Sequence, residues 1–312
     1  MTIGAVLPAG DALHAKNIVD ELIAQTREAS TAGLTSVWFT QLFDHDAISL
    51  AALAGREVPG IEVGTAVVPL YSRHPLVIAS LAQTAQAATD GRFTLGVGLG
   101  VRGLLEPAYG LEYPPPIRLL RESLEVLNQA LDGEQVSFAG SSVIARPPLP
   151  TAVAGGDGVQ LLVAAMAPQT LRATAEFADA PFRSWPGRAS SNASSCPPGG
   201  APSSHASSPP CPPSSPIFFY AVRAVAAASL GYYGDIPSYR QILDAEGVDH
   251  PADLALIGSE AEVAAGIRRY FDAGATDVVL IQSGMRSAAD RLRTWQLAGQ
   301  CVQASPNSSA TT

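Results

Sequence analysis

Residues Ile61–Gly100, IEVGTAVVPLYSRHPLVIASLAQTAQAATDGRFTLGVGLG, read as strand, loop, helix, turn and strand, and that order constrains the fold more than anything else in the chain. Ile61–Leu70 is a Val-rich run closed by Pro69, as expected of a buried strand. His74-Pro75 then opens a helix, because proline fits the first helical turn. Leu76, Val77, Ile78, Leu81, Ala82, Ala85 and Ala88 recur at three- and four-residue spacing and give it one apolar face. Gly91 suits the helix end. In the strand that follows, Phe93, Leu95, Val97 and Leu99 share one side, and Thr94, Gly96, Gly98 and Gly100 the other. Glycine packs nothing and weakens a strand. Three on one face therefore mean close approach by a flat ligand or by another stretch of backbone, and the pattern alone does not separate the two.

The alternation continues on both sides. Strands are expected at Ile3–Leu7, Ser36–Thr40, Val159–Ala164 and Asp277–Gln282. Helices are expected at Asn17–Ala32, Asp46–Ala54, Ile117–Leu131, Pro168–Phe177, Glu260–Ala273 and Arg286–Val302, with Gly33 and Gly274 as stops. An excursion from Val101 to Gly158 carries the Pro114-Pro115-Pro116 turn and a small hairpin at Val136–Ala145. Strand–helix alternation means parallel strands with helices outside. Between an open doubly wound sheet and a closed barrel, strands spread along the whole chain favour a single α/β domain: a (β/α)8 TIM-like barrel with insertions.

Composition narrows the function. Apolar residues make up 47% of the 312-residue chain and charged ones 15%, enough for a large core. A net charge of −9 and the lack of a basic run argue against a nucleic-acid partner. No apolar run reaches membrane-spanning length. MTIGAVLP enters a strand pattern directly, without signal-peptide features. Cys196, Cys211 and Cys301 have no metal-ligand spacing, so no metal is expected and a reducing cytoplasm fits best.

One stretch breaks the pattern. Pro181–Pro216 holds ten prolines and eleven serines in 36 residues, where a barrel needs its sixth and seventh units. Such a composition buries too little to offset its ordering entropy, so a disordered low-complexity segment is expected there. A shifted reading frame accounts for it. If Ser190–Cys196 is written in GC-rich codons and each is read with the last base of its predecessor, the result is Val-Val-Glu-Arg-Val-Val-Val. A native insertion is the alternative.

Gly64–Gly100 closely resembles the bacterial luciferase-like oxidoreductases, above all the branch that uses the deazaflavin coenzyme F420. So do the opening strand and helix, the Pro-rich turn with its helix, Leu161–Asp179 and Leu256–Leu280. The resemblance implies the same barrel and an F420-dependent hydride transfer to or from a small organic substrate. In the family the third strand ends in a bulge, often with a non-proline cis peptide, against the deazaflavin face; Thr65, Ala66 and Val67 hold that place. Gly96, Gly98 and Gly100 match the next strand. The cofactor phosphate is implied at Ala165, Met166, Ala167, Pro168 and Gln169, where free amides at a helix N-terminus hold an anion.

The chain also departs from the family. Well-known members carry an Asp-His pair after the second strand, where Gln41 and Leu42 stand here. Gln41 can hydrogen-bond but cannot act as acid or base. His45, between Asp44 and Asp46, is the substitute candidate, with a loop or capping role as the alternative. Glu106 is a further candidate acid. His74 reads as a cap. Arg56 and Arg73 are candidates to meet anions, and Arg268 and Arg269 read as an exposed helix face. The rivals are an FMN-dependent monooxygenase on the same barrel and a non-catalytic or damaged protein. The expected partner is a small-molecule substrate, with a homodimer left open and no membrane partner.

Overall fold

The structure, a computed structural model, describes residues 2–8, 15–165, 167–182, 216–282 and 287–303. Its centre is a parallel sheet. Strands β1 (Thr2–Leu7), β2 (Ser36–Phe39), β3 (Glu62–Thr65), β4 (Val68–Pro69) and β5 (Phe93–Gly98) come first. The short hairpin β6 (Phe138–Ala139) and β7 (Ile144–Ala145) precedes β8 (Gln160–Ala164), β9 (Ala180–Phe182) and β10 (Asp277–Leu280). The sheet runs β10-β1-β2-β3-β5-β8-β9, with β4 also paired to β5. Every one of these pairings is parallel.

Helices α1 (Ile18–Thr31), α2 (Ala47–Glu57), α3 (Pro75–Ala88), α5 (Pro116–Leu131), α6 (Pro168–Phe177), α9 (Glu260–Asp272) and α10 (Ala288–Gln303) follow the expected order. Their starts are written in the sequence. Asn17 accepts from the Val19 amide, Asp46 from Ser49, and Ser259 and Glu262 form a capping box. Helix α4 (Arg102–Tyr109) was not expected, nor were α7 (Pro216–Leu230), α8 (Pro237–Glu246) and two 3-10 turns at Gly231–Asp235 and Pro251–Leu254.

The strand period of two sorts side chains into two cores. Ile3, Leu7, Val37, Phe39, Val63, Phe93, Leu95, Val97, Leu161 and Val163 point outward into the layer under the helices. Inside the curved sheet, Val6 and Trp38 pack with Ala66, Val67, Leu162 and Val279. Each fully buried large side chain contributes about 1.5–3 kcal/mol. Ala226, Leu230 and Ala252 form a separate small cluster between α7 and the second 3-10 turn.

A closed barrel was expected, with disruption around units six and seven. Among the described residues the sheet does not close, and no strand lies between β9 and β10. The physical sign is on β10, where Val278, Val279 and Leu280 are only half-buried, whereas every residue of β2 is buried. The expectation of disorder for Pro181–Pro216 falls largely on residues 183–215, which lie outside the described residues.

Candidate functional site

The third strand breaks where the resemblance places the bulge. Pairing with β5 stops after Gly64, the Ala66–Val67 peptide is cis, and β4 resumes the pairing at Val68. The Thr65 hydroxyl replaces the lost ladder: it donates to the Gly96 carbonyl at 2.8 Å and accepts from the Gly96 amide at 2.9 Å. Thr65 is fully buried and its hydroxyl is committed, so the surface of the bulge belongs to Ala66 and Val67, both half-buried.

The two readings of the glycine face now separate. A Cβ on Gly96 would stand 1.9 Å from the Thr65 carbonyl oxygen. One on Gly98 would meet Val67 at 2.8 Å and Ala164 at 3.2 Å, and one on Gly100 would meet Leu105 at 2.3 Å. At Gly96 and Gly98 the space is taken by protein. Gly96, Gly98 and Thr65 are therefore corrected from direct ligand contacts to the bed on which the bulge lies, whereas Gly100 is exposed and packs against Leu105. The same contacts bring the two halves of the expected site together. Val67 and Ala164, the latter at the end of β8, converge on Gly98 at the C-terminal end of the sheet.

Beyond Ala164, Ala165 is fully buried and Met166 lies outside the described residues. Ala167 caps α6, but its amide is taken by the Thr170 hydroxyl at 3.2 Å, which in turn donates to the Ala167 carbonyl. Pro168 has no amide hydrogen. The amides of Gln169 and Thr170 are left as the donors that helix geometry leaves without an internal acceptor. Pro168 and Gln169 are exposed, and the first turn holds no acidic residue. These donors suit the phosphate of a cofactor. Thr170 was missed because its contribution is a backbone amide, which no residue type signals.

The polar side chains of the loop after β2 are used for structure. Gln41 Oε1 accepts from the Ala47 amide at 3.3 Å, and Asp46 Oδ1 from Ser49 at 2.7 Å, so both cap α2. His45 donates from Nε2 to the Thr40 carbonyl at 3.0 Å, while Nδ1 lies 3.0 Å from Asp44 Oδ2. Asp46 does not flank the imidazole as expected; it pairs with Arg73 at 2.5 Å. Burial pushes the Asp46 carboxyl up, but hydrogen bonds from Ser49 and the Arg73 charge outweigh it and hold it below the usual carboxylate range. Arg73, a candidate to meet an anion, meets this one within the chain.

Glu106 is also corrected as an acid. Arg102 grips it at 2.9 and 3.3 Å, and the Tyr113 amide donates to it at 3.2 Å. The Arg102 hydrogen bond, then the Tyr113 amide, hold its carboxyl below the usual range, so it stays an anion near neutrality. His74 caps α3 through Nδ1 and donates from Nε2 to the Ile144 carbonyl at 2.9 Å, which ties the hairpin to the helix. Arg56, Arg268 and Arg269 are exposed.

Comparison with known proteins matches this arrangement to a family. The family model described as luciferase-like monooxygenase matches residues 1–189. A Mycobacterium tuberculosis protein provisionally named as a coenzyme F420-dependent oxidoreductase is 31% identical over 121 residues, 38% of this chain and 34% of that protein. The match thus spans about a third of that curated relative. The coenzyme F420-dependent tetrahydromethanopterin reductase of Methanopyrus kandleri superposes with a TM-score of 0.67, at 18% identity over 96% of this chain and 97% of that one. The oxygenating constituent of 3,6-diketocamphane monooxygenase of Pseudomonas putida, in complex with FMN, superposes at 0.68, with 16% identity over 97% and 98%. Among the described residues no helix is long and apolar enough to cross a membrane, and no cluster of metal-ligating side chains occurs.

Proposed function

Because the chain belongs to the luciferase-like monooxygenase family, whose model matches 1–189, we propose that it is an F420-dependent oxidoreductase acting on a small organic molecule. The observation that carries this reading is the convergence of Val67 and Ala164 on Gly98, which puts the bulge and the approach to α6 at one end of the sheet. Ala66 and Val67 present an apolar surface against which a deazaflavin ring would rest. The Gln169 and Thr170 amides would hold its phosphate, aided by the helix dipole and by the lack of an acid in the first turn. Bound F420 supplies hydride exchange at C5 of the deazaflavin, so the chain has to orient ring and substrate and exclude water rather than perform the redox step. Gln41, His45 and Glu106 act as positioning groups in this reading, since each is bound to a backbone or ionic partner.

FMN is the second reading, favoured by the structural likeness to the FMN-bound monooxygenase and by the same fit to a phosphate. Separate titrations of the purified protein with F420 and with FMN distinguish the two. Micromolar binding of F420 and weaker binding of FMN are expected. The reverse order selects the monooxygenase reading, and binding of neither by a folded sample selects a non-catalytic one.

A further inference from the structure

Four rings form a continuous file beside the bulge, and no part of the cofactor reading uses them. Phe43, from the loop after β2, lies 5.8 Å from Tyr109 at the end of α4. Tyr109 lies 6.4 Å from Tyr71, and Tyr71 stacks on Tyr113 at 4.7 Å with planes 23° apart. The file runs from solvent inward: Phe43 is 52% exposed and Tyr109 40%, whereas Tyr71 and Tyr113 are each 9% exposed. Its inner end is bolted to the site. Tyr71 comes two residues after β4, and Tyr113 donates its hydroxyl to the Leu99 carbonyl at 2.8 Å, just beyond β5. The Tyr71 hydroxyl donates to the Leu111 carbonyl. Both buried hydroxyls are thus turned to the backbone.

We propose that Phe43 and Tyr109, backed by the buried pair Tyr71 and Tyr113, wall a binding site for a flat, uncharged aromatic substrate; as a substrate site this rests on the oxidoreductase reading. Exposed apolar rings joined into one patch at a functional mouth mark a binding surface. Offset and tilted rings favour a further ring in the same file. The charges beside them are spent: Arg102 pairs with Glu106, and Arg73 with Asp46. Glu112 near Tyr71 adds negative charge and works against a carboxylate substrate.

The test is calorimetric titration of the full chain with 2-naphthol, 2-naphthoate and cyclohexanol, each with and without F420. The neutral aromatic is expected to bind at least about tenfold tighter than either other probe. Tyr109→Ala and Phe43→Ala should each weaken it by about threefold to tenfold, and Tyr109→Phe should retain it. Equal or tighter binding of 2-naphthoate or cyclohexanol overturns the proposal, as does unchanged affinity in both alanine variants. A dimer that Tyr109→Ala dissolves and 2-naphthol leaves intact also overturns it, because the patch is then an interface between copies. Naphthol binding without F420 binding keeps the aromatic site and removes the cofactor reading. F420 binding without naphthol binding does the opposite.

Discussion

A methyl group at Gly96 would sit 1.9 Å from the Thr65 carbonyl oxygen, whereas one at Gly103 would meet nothing within 4 Å. Gly96→Ala is therefore expected to lower stability by about 1–3 kcal/mol, the scale of overpacking, while Gly103→Ala is neutral or slightly stabilising. Denaturant midpoints of both variants check this, and equal midpoints would mean that the bulge is not seated as described. Glu122 makes a second sharp case. Its carboxylate accepts from the Ser141, Ser142 and Val143 amides at 3.1, 2.6 and 2.8 Å, which closes the hairpin turn. Burial works to raise its pKa, but those amides and nearby Arg118 together hold it below its ordinary value. A depressed carboxyl contributes stability that is present above its unfolded value and lost as pH falls through the folded one. Glu122→Gln should thus lower stability modestly near neutrality, since solvent screens the exposed part of the carboxylate. The difference from the native protein should shrink as pH falls through and below the ordinary carboxylate range. For His45, with one ring nitrogen bonded to Thr40 and the other facing Asp44, His45→Ala should lower the melting temperature and change turnover by less than about tenfold. A loss of about 10²-fold at unchanged stability would restore an acid–base role.

Among the elements, α6 separates binding from stability. Gln169→Glu places a negative charge at the helix N-terminus, which favours the helix dipole but opposes a phosphate held by the same amides. The variant should melt at the same or a higher temperature and bind F420 at least about tenfold more weakly. Unchanged affinity would remove the phosphate from this helix. Elements with a plain period were legible: α6 was expected over the residues it occupies, and Asp46 and His74 announced α2 and α3. Ile61–Leu70 was read as one strand because valine periodicity runs through the Ala66–Val67 break, which only the family resemblance signalled. Helix α4 escaped notice because Gly103 and Pro107 disguise an eight-residue helix. The candidate acids and bases were legible as residue types, but their partners were not. Asp46 and Arg73 are far apart in sequence, and only folding brings them to 2.5 Å.

For the molecule as a whole, the sheet is the governing fact. The family match ends at residue 189, just inside the Ser/Pro-rich stretch, and no described strand joins β9 to β10. Parallel strands are normally covered on both edges and faces, and an uncovered edge invites association. A version of the chain with the shifted frame restored from Ala180 to about Tyr220 should be more soluble and melt at a clearly higher temperature. A confirmed DNA sequence with no gain in the restored version would make the segment a native insertion. The parallel α/β architecture was legible because alternation of strand and helix permits few topologies. Composition alone set Pro181–Pro216 apart, and most of that stretch lies outside the described residues. The packing that turns Gly96 and Gly98 into a bed for the bulge was not legible, because a glycine does not say what approaches it. In the proposed complex the cofactor is held at two points, its ring on Ala66 and Val67 and its phosphate on the start of α6. The most direct measurement compares, by equilibrium titration, complete F420 with the same deazaflavin lacking its phosphate-bearing tail. Both are expected to bind, with the complete cofactor at least about tenfold tighter and that advantage lost in Gln169→Glu. Equal affinity of the two, or an advantage that survives Gln169→Glu, would contradict this arrangement.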